Sequence, residues 1–196
     1  MKYCLLNVLS EGTVKTATSE NIETEENVKE IKNTATSDGV VKYSIKTDID
    51  GNKYVDVENR IFDKSNGKSH ASIISKLISE KFNNLIIINK QKIRINAVTN
   101  KEWRRSPDAQ KLIRTSPDTY YDKLNAIQNA DEILRVARNW VGEKIQHKRK
   151  DDIVEFARGI INYKIGDNGY SADILVETKK DGSALLYDIL HIKEKK

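Results

Sequence analysis

The stretch that most constrains the fold is Ser171–Lys196, SADILVETKKDGSALLYDILHIKEKK. Ser171–Thr178 alternates, with Ala172, Ile174 and Val176 on one face and Ser171, Asp173 and Glu177 on the other. Lys180-Asp181-Gly182 is a turn, because Asp-Gly readily supplies the positive φ angles of a tight hairpin. Ala184–Ile192 is the return strand. It is nearly all apolar, which predicts a central strand buried on both faces. Yet it carries Tyr187, Asp188 and His191. Strict alternation sets Leu186, Asp188, Leu190 and Ile192 against Leu185, Tyr187, Ile189 and His191. Polar groups on a buried strand must find partners or do chemistry.

Similar signals recur upstream. Val40–Glu58 reads as a hairpin around Asp50-Gly51, and Leu85–Ile88 with Lys92–Ile95 as a second around Asn89-Lys90-Gln91. Ser69 caps a helix through about Phe82, with Ile73, Ile74, Leu77, Ile78 and Phe82 as its apolar stripe. Ser106-Pro107-Asp108 and Ser116-Pro117-Asp118 are two helix starts: Ser at the N-cap, Pro where a missing N–H costs nothing, Asp at the positive helix end. The first helix ends near Arg114. Tyr120, Leu124, Ile127, Ala130, Leu134, Ala137 and Val141 keep a 3–4 spacing and predict one long helix of about six turns. Ile153–Ile165 is a strand bulged at Gly159, where the apolar phase shifts from Val154 and Phe156 to Ile161 and Tyr163. Asp167-Asn168-Gly169 turns it into the opening hairpin.

The class is α+β: an antiparallel sheet, made of a C-terminal three-stranded meander plus N-terminal hairpins, packed against a long helix and two shorter ones. Three segments are expected. Residues 1–40 form a Ser/Thr-rich acidic tail or linker, 41–98 a hairpin–helix–hairpin subdomain, and 99–196 a helical segment with the β-meander. Residues 10–39 lack the apolar surface to offset their ordering entropy.

Charge and composition exclude several classes. Net charge is +5 overall against −3 in residues 1–40 (four basic, seven acidic), which leaves +8 on the rest. A basic folded part fits a polyanionic partner, and equally a lysine-rich solvated surface. A single cysteine, Cys4, rules out an internal disulfide and fits the cytoplasm. No run reaches the ~18 apolar residues of a membrane span. Tyr3–Leu9 is apolar but short, with no small-residue cleavage site soon after, so no signal peptide is expected. No GxxxxGK(S/T) or GxGxxG occurs, and His70, His147 and His191 lie far apart, so neither cofactor nor metal is expected.

Metal-free cleavage of RNA by its own 2′-OH stays open, because His, Tyr, Lys and Arg suffice for it. His147 sits among Lys144, Lys148, Arg149 and Lys150, whose charges would depress its pKa toward that of a base at neutral pH. The alternative is an exposed histidine in a charged loop. Tyr187 and His191 either face a substrate together or are, respectively, a core ring and a solvated strand end. Lys101, Arg104, Arg105, Lys111 and Arg114 with Trp103 make either an RNA-contacting surface with a stacking ring or an ordinary helix face with a core anchor.

The order strand, Gly turn, alternating strand, Asp-Gly turn, then Leu186-Tyr187-Asp188-Ile189 with Ile192-Lys193, resembles the C-terminal domains of phage MuF-type toxins and large polyvalent-protein-associated domains. The upstream segment KYSIKTDIDGNKYVDVE, a helix ending near EKF and a hydrophobic hairpin extend the resemblance over residues 41–196. It implies a member of the barnase–EndoU–colicin–RelE group of RNases, with helices packed on an antiparallel sheet that carries the active site. His147 matches by position the histidine after the long helix, and is the first catalytic assignment, with Arg158 and Tyr187 behind it. Lys144, Lys148, Arg149, Lys150, Arg104, Arg105 and Trp103 are assigned to nucleic acid. The chain departs from closer relatives at HKRKDD, where they carry a Gly-rich, acidic, His-containing segment.

Two functions therefore stand. One is a phage- or mobile-element-encoded, metal-independent endoribonuclease of toxin type. It would act in the host cytoplasm, delivered with the phage particle, with RNA as partner and an antitoxin, immunity protein or host defence protein as its counterpart. The other is a non-enzymatic accessory or anti-defence module that binds nucleic acid or a host protein through its basic surface. No membrane partner is expected.

Overall fold

The structure, a computed structural model, describes residues 43–64, 69–144 and 153–195. Strand β1 (Tyr43–Thr47) turns through Gly51, at φ +78°, into β2 (Lys53–Val57). Asp48 fixes that turn by accepting from the Asn52 and Asp50 N–H groups at 2.7 and 3.1 Å. Helix α1 (His70–Lys76) continues through a π turn, Leu77–Lys81, into β3 (Leu85–Ile88) and β4 (Gln91–Arg94). Asn89 and Lys90 both have positive φ, which gives this hairpin its tight turn.

Three helices follow. α2 (Ala97–Arg105) starts at a reciprocal cap between Asn96 and Thr99. α3 (Pro107–Thr115) is capped by Ser106, whose hydroxyl accepts from Ala109 N–H at 3.2 Å. α4 (Pro117–Ala126) has Pro at its start but no side-chain cap.

The expected six-turn helix does not run through. α4 tightens into a 3-10 turn (Ile127–Asn129), restarts as α5 (Ala130–Val136), and then becomes strand β5 (Arg138–Lys144). The cause lies at Trp140 and Gly159. A Cβ on Gly159 would stand 2.9 Å from the Trp140 ring, so the missing side chain makes room for the indole, and Trp140 is buried. Val141, assigned to a helix stripe, is an exposed strand residue.

β6 (Ile153–Ile165), β7 (Asn168–Lys179) and β8 (Ala184–Lys195) complete the meander, and β5 makes it four-stranded. Toward β7, Gly159 pairs with Ile174 in register, and that ladder shifts only between Ile153 and Glu155. Toward β5 the register does shift beside Gly159, between Arg138 and Val141, so the irregularity expected there is present but its extra residue lies on β5 rather than β6. The phase shift has another origin. Ala157, Ile161, Tyr163 and Ile165 are buried, whereas Val154 is exposed and Phe156 half-buried on the opposite side. The β6–β7 turn is Gly166-Asp167, one step earlier than expected, with Gly166 at φ +60° and Asn168 already paired to Ile165.

The sheet order is β1-β2-β6-β7-β8-β4-β3, with β5 also on β6. Both N-terminal hairpins join this one sheet, by parallel pairs at Val55–Tyr163 and Ile93–Ala184. The fold is α+β, and its sheet is mostly antiparallel. The core lies on one face, where Val55, Val57, Ile93, Ile161, Ile174 and Leu186 meet Trp103, Leu124, Ile127 and Ile133 of the helices. Burying about a dozen such side chains, each worth roughly 1.5–3 kcal/mol, is the main stabilising term.

Several polar groups are sealed into that core. Lys123 of α4 and Asp188 of β8 form an ion pair at 2.8 Å, each with 0% side-chain exposure. Asp188 also accepts from its neighbour's N–H, Ile189, at 2.8 Å. Burial pushes its carboxyl above the usual range, against the pull of Lys123 and Ser106. One residue away, Asp122 accepts Tyr170 Oη at 2.6 Å and pairs with Arg60 at 3.2 Å. Asn125 accepts from the Ile61 and Phe62 N–H groups at 2.8 and 3.0 Å and so ties the chain after β2 to α4. Among the described residues no helix is long and apolar enough to cross a membrane.

Candidate functional site

The other face of the β5–β8 sheet has no helix layer among the described elements. On it, four strands bring together residues that are distant in sequence. Asp173 of β7 is 2.8 Å from His191 Nδ1 through Oδ2, and the same oxygen is 3.4 Å from Arg158 Nη1 on β6. Arg158 Nη2 reaches Glu143 of β5 at 3.0 Å. Asp173 thus holds a cation and an imidazole at once. Its position steadies the His191 ring and favours the tautomer with hydrogen on Nδ1, leaving Nε2 as a proton acceptor. The His191 side chain is 55% exposed, so a substrate can reach it.

The local backbone is built for this. The β7–β8 register shifts between Ser171 and Asp173, and His191 takes φ +51°. A positive φ is uncommon for a residue with a side chain, and bulges often re-aim side chains beside functional sites. A second shift lies between Leu175 and Val176. Strict alternation along β8 therefore fails: Asp188 and Ile189 are both fully buried, while Leu190 and His191 are not.

The residues singled out from sequence fall in three places. Arg158 and Tyr187 lie on this open face. Tyr187 packs edge-on against Phe156, ring centroids 5.4 Å apart, and Phe156 is two residues from Arg158 on β6. His147, Lys148, Arg149 and Lys150 lie outside the described residues, as does the side chain of Lys144. Trp103, Arg104 and Arg105 belong to the helical layer. Trp103 is 0% exposed, which corrects its assignment as a stacking ring: it is a core anchor with no free face. Arg104 is tied by Nε to Asn100 Oδ1 at 2.7 Å, and Asn100 donates to Ala71 O and Ser75 Oγ. Burial and the neighbouring Arg105 lower the Arg104 pKa.

Asp173 and Glu143 lie outside the site expected from the sequence, which pairs His191 with Tyr187 alone. The hairpin carries only part of the signal. Counting back from the Asp181-Gly182 turn sets Asp173 opposite Ile189 and His191 opposite Ser171, within reach but out of step; the two register shifts close the gap. Among the described residues no three His, Cys, Asp or Glu side chains converge as a metal site would require.

These features define an α+β domain whose sheet is helix-covered on one side and carries a His–Asp–Arg cluster on the other. The family model of Large polyvalent protein-associated domain 3 matches residues 65–187. The chain belongs to that family, and so is a phage-associated polyvalent-protein domain. Neither the curated proteins nor the solved structures yield a significant match.

Proposed function

We propose that this domain is a metal-independent endoribonuclease that works from the open sheet face. The observation that carries the reading is Asp173 holding His191 through Nδ1 while sharing an oxygen with Arg158. An imidazole so oriented takes a proton at Nε2. Abstraction from a ribose 2′-OH lets that oxygen attack the adjacent phosphorus. The bond to the 5′-oxygen breaks, and that oxygen leaves with a proton from solvent or a second acid. The products are a 2′,3′-cyclic phosphate and a 5′-hydroxyl. Arg158, exchanging one carboxylate for the phosphate, stabilises the charge that develops there. Tyr187 orients the phosphate from the same face, and Phe156 beside it offers an apolar surface for a base.

The test is to incubate the full chain with end-labelled single-stranded RNA in EDTA. Cleavage is expected, with a fall of roughly 10²–10⁴-fold in His191→Ala. Unchanged cleavage in His191→Ala overturns the assignment, and loss only in His147→Ala moves the chemistry to the loop after β5. The binding-module reading has one observation of its own: Arg158 is already occupied by two carboxylates. Tight RNA binding without cleavage favours it.

A further inference from the structure

Beside the His191 cluster, basic side chains gather around one buried amide. The β6–β7–β8 register sets Lys164, Gly169 and Lys195 in one row and Asn162, Ser171 and Lys193 in the next; Asp173 comes one row further on. Partners across antiparallel strands share a face, and so do residues two apart on a strand. Asn162 is 1% exposed. With its amide oriented to satisfy both ends, its nitrogen donates to Ser171 Oγ at 3.3 Å and Ile161 O at 3.1 Å. Its oxygen accepts from Lys195 Nζ at 3.1 Å and from Arg138 Nη1 and Nη2 at 3.2 and 3.3 Å.

Two full positive charges therefore meet at one neutral oxygen. Like charges this close repel unless an anion answers them. Asp48 answers Lys195, at 3.2 Å. Arg138, Lys164 and Lys193 make no ion pair among the described residues. Asn162, Lys164, Gly169 and Lys195 also line a cleft of about 200 Å³, together with Asp48, so two of the four cations border a concave space, and Arg138 reaches its edge through the Asn162 oxygen. Gly169 adds no side chain to it.

We infer that this end of the sheet is a phosphate-binding subsite, in which Arg138 and Lys195, flanked by Lys164 and Lys193, hold the backbone of a single-stranded RNA whose neighbouring phosphate lies at His191. The strand identity rests on the ribonuclease reading; the phosphate chemistry does not. A phosphate supplies both the missing charge and several acceptor oxygens for a guanidinium and an ammonium.

The test uses the full chain carrying His191→Ala, so that RNA survives, and fluorescein-labelled single-stranded RNA followed by anisotropy across a salt series. Adding Arg138→Gln and Lys195→Gln is expected to weaken binding at least tenfold and to reduce the salt slope by about two phosphate contacts. Lys164→Gln with Lys193→Gln, which breaks no ion pair, keeps the test readable should the first pair unfold the chain. It is expected to weaken binding several-fold. Lys92→Gln, an exposed side chain on β4, serves as control and should change little. The subsite is overturned by absent RNA binding, by binding unchanged in both double variants, by equal weakening in the control, or by stronger binding to phosphatidylserine vesicles than to RNA. Arg138-dependent binding with no cleavage by the wild-type chain sinks the ribonuclease reading and leaves the subsite standing.

Discussion

The two faces of the sheet hold the same chemical pairing in opposite surroundings. On the covered face Asp188 meets Lys123 with no solvent access; on the open face Asp173 meets His191 and Arg158 in partial contact with water. In a dry core, removing one partner leaves a charge that nothing screens. At a wet surface, solvent replaces most of what a partner gave. The contrast separates a pair that fixes the architecture from one free to exchange partners with a ligand.

The largest expected effect breaks the covered pair. Asp188→Leu leaves Lys123 buried and uncompensated and should cost about 3–5 kcal/mol in urea unfolding. The double variant Lys123→Met with Asp188→Leu should recover most of it, and equal loss in both would deny that the charge is what matters. Next is Gly159→Ala, whose new methyl collides with the Trp140 ring. A cost of about 1–3 kcal/mol is expected, with a shift in Trp fluorescence, while Gly159→Ala in a Trp140→Ala background should cost far less.

The covered face can also be read with alkali. Tyr163 and Tyr170 are pushed well above the ordinary tyrosine range by burial first, and Tyr43, by burial and Glu132, to about 12. A pKa raised in the folded state gives stability that is full below pH 10 and lost as pH rises toward the folded value. Absorbance titration at 295 nm should therefore show these tyrosines silent near pH 10 and ionising together with unfolding near pH 12. Ordinary titration of all eight would contradict their burial. The smallest expected effect on stability is on the open face. Asp173→Asn should change unfolding by less than about 1 kcal/mol, yet lower RNA cleavage by at least tenfold, because the imidazole loses its orienting anion. A stability loss like that of Asp188→Leu would erase the distinction between the faces.

Much of the scaffold was legible because turns are local. Gly51 and Gly182 carry the positive φ that their Asp-Gly pairs announce, and Ser106 caps its helix as its Ser-Pro-Asp signal says. What failed was non-local. Ala137 and Val141 continue a helical spacing, but Trp140 is drawn to the gap over Gly159, sixty-odd ångströms of chain away at full extension, roughly 3.3 Å per residue. The two register shifts in β8 come from its pairing with β7, so period two could not say that His191 would turn toward Asp173. Asp188 was readable as a buried structural group, but its partner Lys123 was not, since lysine on a helix ordinarily marks solvent. The candidate site was half visible: Tyr187 and His191 stand out on the strand, Arg158 comes from family resemblance, and the Asp173–His191 contact needed the folded register.

The two parallel pairings have a consequence for how the protein is made. β4 has its place beside β8, although about ninety residues of chain separate Ile93 from Ala184. On the ribosome, the β3–β4 hairpin emerges early and waits without its sheet neighbour until residues 184–195 follow. The same late segment brings Asp188 to Lys123 and His191 to Asp173. Docking of the β3–β4 hairpin, core neutralisation and assembly of the His–Asp contact thus all await the same strand, and a nascent chain stalled before β8 has none of the three.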